Sequence, residues 1–123
     1  MSEQFPLRVL FCLGINQNFF DLPTGTGGAV WQATLDFLQQ TKDHPGVDYI
    51  ADFDDDSHQV GPSTGWPWTA YVLADVDSQQ TVKEVCGLLR TIPVGEHSFW
   101  RYAKIEARIG RGLTLRDDVK LPE

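Results

Sequence analysis

VDYIADFDDDSHQVGPSTGWPWTAYVLAD, residues 47–75, holds two strand patterns in succession with no helical pattern between them, and that pairing decides the fold. Val47, Tyr49, Ala51 and Phe53 alternate with Asp48, Ile50, Asp52 and Asp54, the period of two expected of a strand with one wet face. Gly61, Pro62, Ser63 and Gly65 supply a turn-rich loop. Residues 66–75 are strand-like again, with Pro67 confined to the entry, where a missing N–H costs no ladder bond.

Upstream, residues 7–15 (LRVLFCLGI) form a short apolar run rich in strand formers. A Gly/Pro/Asn-rich stretch leads to Trp31, Thr34, Leu35, Leu38 and Thr41, which recur at helical spacing opposite Gln32, Asp36, Gln39 and Gln40. His44-Pro45-Gly46 stops that helix. Downstream, Asp77 with Gln80 three residues on resembles a capping box, and Val82, Val85, Cys86 and Leu89 make one apolar helical stripe. Pro93 and Gly95 end it. Residues 99–109 close the set, with Ala103, Ile105, Ala107 and Ile109 facing one way and Lys104, Glu106 and Arg108 the other.

The order is β-α-β-β-α-β in a single α+β domain, residues 1–123, with a core of about residues 6–111 and a polar C-terminal tail. Two split βαβ units predict a ferredoxin-like four-stranded antiparallel sheet with both helices on one face. The first and third strands are expected in the centre and the second and fourth at the edges. Both central strands are apolar on both faces: Leu10, Cys12, Tyr71 and Leu73 back the helix-facing set. Two helices cover one face only. Either long loops cover the other, or a second copy packs sheet against sheet as a homodimer; the second is the more economical arrangement, because no further element is available.

The charge balance is 10 Lys+Arg against 17 Asp+Glu, formally −7. An acidic surface argues against nucleic acid, whose phosphates demand cations, and against an anionic membrane. No apolar run approaches the ~20 residues of a membrane span. The N-terminus lacks signal-peptide features, and Cys12 and Cys86 sit in apolar segments without CxxC spacing, so a reducing, cytoplasmic setting is expected.

Three clusters carry candidate chemistry. Asp52, Asp54, Asp55, Asp56 and His58 crowd a strand end, where mutual repulsion can make one carboxylate a base and an aspartate can orient an imidazole; a solvated acidic loop is the bland alternative. Metal is not expected there, because alternation splits the aspartates between faces and no ligand spacing supports them. Trp66 and Trp68, two residues apart, face the same side of a strand and suit the wall of a flat-ligand site, or simply the core. His97, Trp100, Arg101 and Tyr102 form the third, in which Arg101 suits a substrate carboxylate and His97 an acid or base. Gly25-Thr26-Gly27-Gly28 lacks both the GK[ST] ending and the GxGxxG pattern, and is read as a flexible connection.

RVLFCLGINQNFFD (residues 8–21), DFDDDSHQVGPSTGWPWTAYVLADV (52–76) and RTIPVGEHSFWRYAKIEARIGR (90–111) resemble the IacB-type small proteins of bacterial indole-3-acetic acid degradation clusters. The resemblance implies a role in catabolism of an aromatic acid, and supplies no catalytic residue. At the level of fold alone, the chain is similar to dimeric α/β-barrel proteins, among them cofactor-independent monooxygenases and muconolactone isomerases.

The expectation is therefore a cofactor-free enzyme of the isomerase, hydrolase or monooxygenase type acting on an oxidised indole-acetate intermediate. Its proton-transfer set is His58 or His97 with Asp54 or Asp56. Trp66, Trp68, Trp100, Arg101, Tyr102 and Asn16 would bind the substrate. The alternative is a non-catalytic binding or accessory protein that uses the same residues.

Overall fold

The computed structural model describes residues 5–15, 26–55 and 68–113. In chain order these form β1 (Leu7–Ile15), α1 (Thr26–Asp43), β2 (Val47–Asp54), β3 (Ala70–Val76), α2 (Gln79–Gly87), β4 (Pro93–Val94), β5 (His97–Ser98) and β6 (Ala103–Gly110). The long strands pair antiparallel in the order β2-β3-β1-β6. This α+β architecture is compatible with a ferredoxin-like fold, with β1 and β3 central as their two apolar faces require.

One continuous core joins the sheet to both helices. Val9, Phe11 and Leu13 of β1 meet Val72, Ala74 and Val76 of β3, beneath Val30, Ala33 and Phe37 of α1 and Val82 and Val85 of α2. Phe11, Phe37 and Val85 are essentially sealed from solvent. The opposite face is backed by Leu10 and Leu73, in register with each other and half-buried, and by Cys12 beside Tyr71. At the far end of that face Arg8 donates through Nε to Asp75 Oδ1 at 2.8 Å and through a terminal nitrogen to Oδ2 at 3.0 Å. A fork of two charge-assisted bonds satisfies a carboxylate that is 1% exposed.

Four sequence expectations move. The buried stripe of α1 is Val30, Ala33, Thr34, Phe37 and Thr41, one position back from the stripe headed by Trp31, which is 59% exposed. Both stripes have helical spacing, and the β-branched and aromatic Val30 and Phe37 win the core; Thr34 and Thr41 hide their hydroxyls on the carbonyls of Val30 and Phe37. The α2 cap is Ser78, not Asp77: its side chain accepts from the Thr81 N–H, while the Thr81 hydroxyl donates to Asp77. The third strand begins at Ala70, so Trp68 lies just before it. The fourth begins at Ala103, because Phe99–Arg101 turns as a short 3-10 helix that buries Phe99.

Two glycines are required by backbone geometry. Gly46 has φ +84, and a Cβ there would collide with the Asp77 carboxylate at 2.5 Å. Gly95, with φ +59, takes the first position of the two-residue turn between β4 and β5.

The largest departure is in β2. Val47 pairs with Val76 and Tyr49 with Ala74, but the next partner of β3, Leu73, meets Ala51, leaving Ile50 as an extra residue. A bulge of one residue flips every side chain after it to the other face. Asp52 and Asp54 therefore face the helix side, opposite Val72 and Ala70, while Ala51 and Phe53 join Leu73 and Tyr71 on the open side. Strict alternation predicts the reverse.

Candidate functional site

The flip leaves space where a strand would ordinarily fill it. In its first half β2 sends Val47 and Tyr49 against the core. In its second half, two short polar side chains replace the apolar residues that would meet α1. The result is a cavity of about 680 Å³ between α1 and the ends of β1, β2 and β3. Leu13, Ile15, Val30, Trp31, Leu38 and Ala70 give it a mainly apolar wall, and Thr34 and Thr69 add hydroxyls. Asp52, Asp54 and Asp55 edge it with carboxylates. Its lining also reaches Phe53 and Tyr71 around the strand ends.

Neighbouring phenols hold two of those carboxylates. The Tyr49 hydroxyl donates to Asp52 Oδ2 at 2.5 Å, a bond the bulge makes by bringing positions 49 and 52 to the same face. Partial burial, then the Asp52 bond and charge, push the Tyr49 phenol well above its ordinary range, so it stays a donor. The Tyr71 hydroxyl donates to Asp55 Oδ2 at 3.1 Å, and the Tyr71 ring packs on Phe53 with centroids 4.8 Å apart. The strand ends are pinned by main-chain bonds from Asp55 N–H to Thr69 and from Thr69 N–H to Leu13. Asp52, Asp54 and Asp55 are solvent-exposed, fully able to act as hydrogen-bond acceptors.

The sequence-predicted residues do not all converge here. Asp54 lines the cavity. Asn16, Asp56, His58 and Trp66 lie outside the described residues. Trp68 is not in the lining and carries Lys104 Nζ 5.5 Å from its ring centroid. His97 is exposed on the β4–β5 hairpin, edge-on to Tyr102 with centroids 6.5 Å apart. Tyr102 is buried in the core. Trp100 is half-exposed and stacks against Arg90, 5.0 Å from its ring centroid. Arg101 is exposed at the end of the 3-10 turn and is not part of the lining. The third cluster is thus a core anchor with a charged rim, apart from the cavity.

Trp31, Leu38 and Thr69 are among the lining residues that sequence reasoning did not single out for a site. The signal for Trp31 was its place in a second helical stripe beside the core stripe: a large aromatic ring just off the buried face has to meet something other than the core. Among the described residues, no group of three or more His, Cys, Asp or Glu side chains is placed to hold a metal ion. Neither Cys12 nor Cys86 is disulfide-bonded, and burial pushes both thiols up, away from the reactive thiolate. No described helix is long and apolar enough to cross a membrane. In comparisons with known proteins, no family model matches the chain and no curated protein is found similar to it.

Proposed function

We propose that this chain works in aromatic acid catabolism, as a cofactor-free enzyme acting on an oxidised indole-acetate intermediate bound in the cavity beside α1. The observation that carries the reading is the cavity itself: about 680 Å³ with an apolar and indole-bearing wall on one side and carboxylate acceptors on the other. A flat bicyclic ring fits such a wall, and its N–H and added hydroxyl groups find acceptors in Asp52 and Asp54. The resemblance to the IacB-type proteins supplies the pathway. Asp54 is assigned the proton transfer: a carboxylate beside an apolar wall can take a proton from one ring position and return it at another, which is all that an isomerisation demands. His58, four residues further along, is its partner in this reading.

The same proposal includes a homodimer in the cytoplasm that closes the sheet's open face as a barrel. Leu10 and Leu73 there are only half-buried, and Phe53 is 62% exposed. Burying a Leu or Phe fully contributes about 1.5–3 kcal/mol, so a few such residues per subunit suffice.

Purified protein given the oxidised intermediates should change their absorbance, with a product of new retention or mass. Asp54→Asn should slow that change by more than about tenfold. If Asp54→Asn and His58→Ala both match the unaltered protein, the catalytic assignment is wrong. The second reading, a binding or accessory protein that holds the intermediate without turnover, draws support from His97 and Arg101 lying apart from the cavity. Saturable binding with no product by mass spectrometry would select it.

A further inference from the structure

The cavity's polar edge has one sign. Its described lining contains Asp52, Asp54 and Asp55 and no lysine, arginine or histidine. The bulge at Ile50 gives this charge its direction: were Ile50 itself paired with Leu73, Ala51 and Phe53 would face α1, and Asp52 and Asp54 would point away from the cavity. A bulge that aims acidic side chains at an apolar wall disrupts the ladder without improving the core, and such irregularities concentrate next to binding sites. A substrate carboxylate placed beside these groups would be repelled, and the described lining offers no cation to offset it.

We propose that the cavity selects its ligand by the absence of negative charge: it takes an aromatic ring carrying N–H, O–H or ammonium donors, and disfavours the same ring carrying a free carboxylate. An aromatic acid then enters ring first, with its acid group held out in the water. This rests on the cavity being the ligand site, as proposed above, and adds the class of ligand and its orientation. Because the three carboxylates are exposed, the discrimination is moderate and sensitive to salt.

Three ligands with one ring test it by isothermal titration: tryptamine (cationic), indole-3-acetamide (neutral) and indole-3-acetate (anionic), all at low ionic strength and neutral pH. Tryptamine should bind about three- to tenfold tighter than the acetate, with the amide between. Adding salt to about 0.5 M should compress the series. In the Asp52→Asn/Asp54→Asn double variant the ratio of amide affinity to acetate affinity should fall toward one. The comparison on the unaltered protein stands even if that variant folds poorly. Acetate binding as tightly as the amide, or tighter, overturns the charge selection but leaves the cavity as the ligand site. Failure of all three to bind overturns both.

Discussion

The two halves of β2 run under the same helix on the same sheet and do opposite things. Up to Tyr49 the strand sends Val47 and Tyr49 into the core, and the space beneath α1 is filled. Beyond Ile50 it sends in Asp52 and Asp54, and the space stays open. Composition does not separate the halves, since each alternates apolar with acidic residues. One additional residue between them does. A register shift, more than the choice of side chains, turns a packed sheet end into a binding cavity.

Breaking the filled half should cost the most. Phe37 is sealed from solvent where α1 meets the sheet, so Phe37→Ala should destabilise by about 3–5 kcal/mol in urea or thermal unfolding. Leu38, its neighbour on the cavity wall and half-buried, should lose less than half as much on the same change, because its side chain already borders empty space. Equal losses at the two positions would mean that the cavity half is as tightly packed as the rest.

The next effect comes from the end of the sheet remote from the cavity. Asp75→Ala removes a buried carboxylate and leaves the Arg8 guanidinium, itself partly exposed, without its fork. The expected cost is about 2–3 kcal/mol, below the figure for a fully buried pair because water reaches Arg8. Conversion to Asn, which retains the shape, should recover part of it.

The smallest effect is on pH dependence. Tyr49 keeps its proton in the folded state beyond the range where a free tyrosine loses it, so the folded state binds more protons at high pH. Its contribution to stability is present in full below about pH 10 and falls as pH rises past that point. Tyr49→Phe should flatten the alkaline limb of the unfolding profile and leave the neutral region nearly level. An unchanged alkaline limb would detach Tyr49 from Asp52.

Much of this fold is legible in the amino-acid order because several signals agree. Apolar residues on both faces of residues 7–15 and 70–76 mark central strands, and His44-Pro45-Gly46 marks the end of α1, whose last residue is Asp43. Those readings rest on punctuation and on composition over many residues. The bulge rests on one. Tyr49, Ile50 and Ala51 all suit a strand, and Asp-Phe-Asp alternates equally well in either phase, so nothing local marks Ile50 as extra. The phase of α1 was hidden in the same way, because the stripe containing Trp31 and the one containing Val30 overlap at Thr34 and Thr41. Of the candidate site, the acidic cluster around Asp54 was visible as chemistry, while its direction and the partnership with Trp31 depend on register. The grouping of Trp100 and Arg101 with the site followed from proximity in sequence; a buried Phe99 between the β5 end and β6 fixes that turn elsewhere.

The central claim is that Ile50 is the extra residue of β2, so that Asp52 and Asp54 face α1 and edge the cavity. Deleting Ile50 removes the bulge but leaves Ala51 opposite Leu73 and Asp52 opposite Val72, so Asp52 and Asp54 still face α1. Titrating the deletion variant and the unaltered protein with indole-3-acetamide, and following amide chemical shifts by NMR, tests this most directly. The unaltered protein should show shifts gathered at Val30, Trp31, Thr34 and Asp52–Asp55. The deletion variant should stay folded with dispersed signals and keep the response at the same residues, because the side chains that line the cavity hold their partners on β3. A folded deletion variant that loses the response, or shifts gathered at His97–Tyr102 in the unaltered protein, would contradict the account.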